Sequence, residues 1–153
     1  IGWVVGPSPM METLWGRTDY TTIAPASLSD KLARVALEPA TRAKILARTR
    51  RILTDNFGIL SNWIDGQGGR FTYRPPDAGA ICYTRYQAPI NSTEFAQILR
   101  VEKDLLVVPG DHFGMDHYLR LGFGSPATEL TEALHRMATA FDTVDHRSQS
   151  NTA

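Results

Sequence analysis

Apolar residues along the chain recur with two periods, one near 3.6 residues and one of 2, and the changes between them predict the elements. Ile1 to Val5 is a short β-branched run closed by Gly6-Pro7-Ser8-Pro9, which predicts a strand and then a turn. Met10 to Trp15 predicts a short helix stopped by Gly16. Arg17 to Ala26 is expected to be extended or irregular, since Pro25 biases Ala24 away from helix. Leu28, Leu32, Val35 and Ala36 share one helical face and predict a helix over 28–37, with Ser27 as N-cap and Asp30 complementing its start. Pro39 suits the first turn of a longer helix over 39–63. Leu46, Ile52, Leu53, Phe57, Leu60 and Trp63 make its apolar face, and Gly66, Gly68 and Gly69 end it.

The second half changes period. Arg70–Tyr73 and Ala80–Tyr86 alternate and predict two strands joined by the turn-forming PPDAG. Asn91 with Glu94 predicts the cap of a helix over 92–101, with Phe95, Ile98 and Leu99 inward. Leu105–Val108 reads as a short buried strand closed by Pro109-Gly110, and Tyr118–Phe123 as the last strand. Ser125 and Pro126 open a final helix with Leu130, Ala133, Leu134, Met137, Phe141 and Val144 on its face, and the tail after Asp145 is polar and expected to be disordered. The order predicts an α+β fold with helices packed on a small sheet.

Charge and composition narrow the function classes. Sixteen Lys and Arg against sixteen Asp and Glu give no net charge, which argues against a general polyanion binder such as a nucleic-acid-coating protein. The lone Cys82 excludes an intrachain disulfide and a multi-cysteine zinc site, and its place in a strand pattern reads as a small core residue. No apolar run approaches the roughly 18 residues of a membrane helix, and the absence of a signal points to the cytoplasm. The segment Asp111-His112-Phe113-Gly114-Met115-Asp116-His117 holds two DH pairs, but on a loop without a helical face to converge metal ligands, so it reads as a polar cleft loop. The basic face at 42–51 reads as a solvated helix side, and Gly66-Gln67-Gly68-Gly69 as a helix terminator. Arg120 stands out. It lies in the otherwise apolar run YLRLGFG, where a guanidinium must reach water or grip an anion; a substrate carboxylate is one such anion.

Four landmarks then occur in order: IGWVVGP, the helix end TRRILTDNFGILSNWID, the turn and strand RPPDAGAICYTRY, and LLVVPGDHFGMDHYLRLGFG. Together they resemble the C-terminal part of a class I/II aminotransferase, a fold-type-I pyridoxal-phosphate enzyme. The resemblance covers nearly all of residues 1–144, and the last landmark is the most specific.

The resemblance implies the small C-terminal domain of the aspartate-aminotransferase-like fold. Residues 1–26 would end the large cofactor-binding domain, with the first strand belonging to that domain. Residues 27–145 would form the small domain, and 146–153 a polar tail. Arg120 would bind the substrate α-carboxylate, with Pro109, Gly110, Phe113 and Gly114 shaping the entrance and Ile81 flanking the substrate. Arg17 would reach the substrate side chain, and Tyr20 and Thr21 the cofactor phosphate, in a partner subunit's active site. The cofactor would be pyridoxal 5'-phosphate, the substrates an amino acid and a 2-oxo acid, and the assembly a homodimer. No catalytic residue is assigned, because the Schiff-base lysine of the family precedes the IGW segment, and the chain alone is expected to be inactive. The same scaffold could serve a lyase, a decarboxylase or a cyclising synthase. A non-catalytic α+β binding module is the alternative outside enzymes.

Overall fold

The computed structural model describes the backbone of residues 1–150 and the side chains of residues 1–145. The chain divides into two compact units, residues 1–49 and 50–153, with the division inside one long helix.

In the first unit, residues 1–7 form no regular element, so the expected strand at Ile1–Val5 is not there. A strand needs a neighbour to pair its backbone, and none of the four described strands lies within this unit. Val5 is 95% exposed. Helix α1 spans Ser8–Thr18, longer than the expected Met10–Trp15. Pro9 sits in its first turn, where a missing N–H costs nothing, and Gly16 is carried through instead of stopping it. Arg17 therefore lies on a helix, while the following 19–26 form turns, with Ile23 left-handed at φ 60°. Helix α2 spans Ser27–Leu37. Its N-cap is Ala26 with no side-chain bond, so the expected Ser27 cap does not form. Helix α3 spans Pro39–Asp65, and its start is capped by a residue the pattern did not flag. The Glu38 carboxylate accepts from Thr41 N at 2.8 Å and from the Thr41 hydroxyl at 3.0 Å. Those bonds, the backbone one first, hold its pKa below the usual carboxylate value.

The second unit is built on a four-stranded antiparallel sheet. Strands β1 (Phe71–Tyr73), β2 (Ile81–Tyr86), β3 (Val108–Pro109) and β4 (Tyr118–Gly122) stand in the order β1-β2-β4-β3. Helix α4 (Ser92–Glu102) precedes β3, and α5 (Ala127–Ser150) follows β4. Alternation along β2 and β4 sorts the side chains to two faces. Cys82, Thr84, Tyr86, Leu119 and Leu121 are buried on one face. There Cys82, Tyr86, Leu119 and Leu121 join Leu60 and Ile64 of α3, Phe95 and Leu99 of α4, and Leu134, Met137 and Phe141 of α5 in a single core. The α+β layering and most boundaries agree with the sequence pattern.

Two differences are local. The expected buried strand Leu105–Val108 shrinks to Val108–Pro109, and Leu106 is 81% exposed. The Leu105 N–H is spent on Leu99 O at the end of α4, so the backbone there closes a helix instead of extending a ladder. The tail expected to be disordered from residue 146 instead starts as helix. The α5 backbone runs on to Ser150, and residues 151–153 lie outside the described residues.

Candidate functional site

The outward face of the sheet carries two of the residues the sequence singled out, Arg120 and Ile81. Arg120 lies at the middle of β4, directly across from Tyr83 on β2 and from Val108 on β3. Gly122, next on the same face, stands opposite Ile81, and nothing lies within 4 Å of where its Cβ would be. The glycine leaves the surface beside Arg120 open, and Ile81 is 46% exposed at its edge. The structure thus brings Arg120 and Ile81 onto one face of adjacent strands.

Arg120 is half-buried and has no ion pair among the described residues. Its guanidinium carbon lies 4.9 Å from the centroid of the Phe113 ring. That is cation–π distance, and it leaves the N–H fork free for a planar anion. Phe113 comes from the loop between β3 and β4, whose shape the backbone dictates. Gly110 N donates to Tyr118 O at 2.7 Å, and Phe113 N and Met115 N both donate to Gly110 O. A Cβ on Gly110 would fall 2.1 Å from Met115 O, so only glycine fits. Gly114, left-handed at φ 71°, ends the 3₁₀ turn Asp111–Phe113.

The two aspartates of this loop act as clamps on the start of α4. Ser92 N donates to Asp116 Oδ1 at 2.7 Å, the Thr93 hydroxyl donates to Asp111 Oδ2 at 2.6 Å, and Asp111 N donates to Ser92 Oγ at 2.9 Å. Asn91 caps the same helix by accepting from Glu94 N, as its sequence predicts. Both carboxyls are held below the usual carboxylate range, Asp111 chiefly by the Thr93 hydroxyl and Asp116 chiefly by the Ser92 N–H. Asp111 Oδ1 is shut from solvent without a partner among the described residues, although the carboxyl group as a whole lies near the surface. Among the described residues no three His, Cys, Asp or Glu converge as metal ligands. The doubled DH of the sequence is therefore a loop anchor. Its signal was the Ser92-Thr93 pair at the preceding helix start, which offers the hydroxyl and N–H groups that carboxylates seek.

Sequence reasoning also missed Tyr83. It stacks on Tyr118 with centroids 5.5 Å apart, and its hydroxyl is buried without a partner among the described residues. Both rings line a cleft of about 690 Å³ that runs from Ile81 past Arg85 to Arg74 and Asp77. Cys82, in contrast, is the core residue expected of it. It is fully buried, and burial pushes its thiol pKa up.

Arg17, Tyr20 and Thr21 belong to the first unit. Arg17 is exposed on α1, Tyr20 is 90% exposed, and the Thr21 hydroxyl donates to Thr18 O at 3.2 Å.

Residues 3–137 match the sequence profile of the class I and II aminotransferases. The chain belongs to this family. It is 30% identical over 134 residues to a capreomycidine synthase of Streptomyces vinaceus, covering 88% of this chain and 34% of that protein. It is 25% identical over 146 residues to an aspartate aminotransferase of Streptomyces avermitilis, covering 90% of this chain and 35% of that one. Among solved structures, a pyridoxal-phosphate-dependent aminotransferase from Streptococcus suis superposes with a TM-score of 0.84 at 30% identity, over 94% of this chain and 38% of that one. This family chain thus spans about a third of the length of the curated relatives it matches. Its fold is that of the aspartate-aminotransferase-like proteins, and the family's cofactor is pyridoxal phosphate.

The residues present do not themselves form a site for that cofactor. Its aldehyde needs a lysine. Lys31 and Lys44 are exposed on α2 and α3, and Lys103 is the C-cap of α4. Arg17 and Tyr20 have phosphate-binding chemistry, but both stand exposed instead of lining a cradle. What the chain does hold is the open sheet face that carries Arg120. Among the described residues no helix is long and apolar enough to cross a membrane.

Proposed function

We propose that this family chain is the C-terminal part of a pyridoxal-phosphate aminotransferase acting on an amino acid and a 2-oxo acid. In this reading Arg120 binds the substrate α-carboxylate. The observation that carries it is the half-buried, ion-pair-free guanidinium on the open sheet face, held by the Pro109–Gly114 loop. A guanidinium offers two parallel N–H groups to a carboxylate, which fixes both position and rotation of the bound acid. Ile81 borders the bound substrate, and Gly122 provides the clearance between them. Arg17 serves the substrate side chain, and Tyr20 and Thr21 the cofactor phosphate, each in the partner subunit of a cytoplasmic homodimer. Residues 1–26 finish the large domain, and 27–145 form the small one. Because the lysine lies on the large domain, the 153-residue chain alone is inactive.

The test is Arg120→Leu in the complete enzyme. The KM for amino acids is expected to rise about 100-fold or more, as for a lost charge-assisted bidentate pair. An unchanged KM removes Arg120 from this role. Detectable transamination by the 153-residue chain with added cofactor would refute its inactivity.

A second reading is a cyclising synthase on the same scaffold. It is favoured by the similarity to the capreomycidine synthase. Product analysis separates the two. Amino-group transfer consumes one 2-oxo acid per amino acid, whereas cyclisation leaves added 2-oxo acid untouched.

A further inference from the structure

Phe113 poses a problem that packing does not solve. It is 55% exposed and takes no part in the hydrophobic core, yet the loop around it is tied down with unusual thoroughness. Phe113 N is bonded to Gly110 O at 2.8 Å, the turn is closed by left-handed Gly114, and both flanking aspartates are anchored on Ser92 and Thr93. What the ring does meet is Arg120, at 4.9 Å.

We infer that Phe113 is a positioning residue for Arg120, its ring face holding the guanidinium in the orientation that receives a carboxylate. This rests on the reading of Arg120 given above. A long arginine side chain has many rotamers, and a substrate that must order it loses affinity to that ordering. A carboxylate neighbour could order it too, but would occupy the N–H fork and compete with the substrate. An aromatic face orders the guanidinium through its π system and uses none of its donors. The loop anchors explain themselves on this account. They fix the ring so that the ring can fix the arginine.

Phe113→Leu keeps apolar bulk and removes the ring face. In the complete enzyme its KM for amino acids, and the inhibition constant of a simple carboxylate such as a non-aminated substrate analogue, are expected to rise about 2- to 30-fold. The turnover number should move less. Phe113→Tyr, which retains the face, should restore most of the lost affinity. Stepwise fluorination of the ring drains its face without changing its shape, so log KM should rise with each fluorine. A merely structural role would leave that series flat. Independently of activity, the Arg120 side-chain protons should be shifted upfield by the ring in the NMR spectrum and return in Phe113→Leu. A flat fluorine series, or an unchanged KM in Phe113→Leu where Arg120→Leu raises it steeply, overturns the inference and leaves the reading of Arg120 standing. An unchanged KM in Arg120→Leu overturns both.

Discussion

Asn56 ties the middle of α3 to the chain leaving β4, and removing it should be costly to the second unit. Its side-chain amide is 2% exposed and donates to Phe123 O at 2.8 Å and to Ser125 O at 2.7 Å. A buried hydrogen bond of this kind is worth about 1 kcal/mol net, and each carbonyl left without its partner costs about as much again or more. Asn56→Ala should therefore lose about 2–4 kcal/mol, a large share of the roughly 5–15 kcal/mol that holds a domain of this size. Asn56→Asp should be worse at neutral pH, because it faces a carboxylate with two carbonyl oxygens. That carboxyl would have its folded pKa raised above the unfolded value of about 3.9. The variant is then least impaired below about pH 4 and loses stability as pH rises through the folded pKa. Urea unfolding followed by tryptophan fluorescence, at pH 4 and pH 7, measures both. Asn56→Ala within about 0.5 kcal/mol of the parent at equal denaturant slope would refute the reasoning.

Other substitutions test the site's supports. Gly110→Ala places a methyl 2.1 Å from Met115 O, so the β3–β4 loop must shift; about 2 kcal/mol or more of stability should be lost, measured by thermal unfolding. Asp111 and Asp116 have lowered folded pKa values, so their stabilisation is complete above about pH 4 and fades as pH falls through the folded values. The protection factors of Ser92 N and Asp111 N, taken against the intrinsic exchange rate at each pH, should therefore fall in acid, and protection that survives to pH 2 would count against the clamp. Tyr83→Phe removes a buried hydroxyl that has no partner among the described residues. It should stabilise the protein by about 1 kcal/mol, whereas a loss of that size in a melting experiment would show a partner for the hydroxyl.

The sequence by itself determined the layering and most of the elements. The 3.6-residue stripes placed α2 and α3 and the start of α5, and the period-2 stretches placed β1, β2 and β4, because burying one face demands those spacings. It also isolated Arg120, since a charge in an apolar strand has to be answered. The two strand misses share one cause. A strand exists only if another backbone pairs with it, and local pattern does not report pairing. Ile1–Val5 has strand composition, but none of the four described strands lies in its unit, while Leu105–Val107 gives its first N–H to α4. Residues far apart in sequence decide the rest. Only the tertiary structure set Asp111 and Asp116 against Ser92 and Thr93, slid Phe113 under Arg120, and opened the space above Gly122. Hydrophobic period depends on the face a residue shows. A site depends on which faces meet, and that is settled by long-range packing alone.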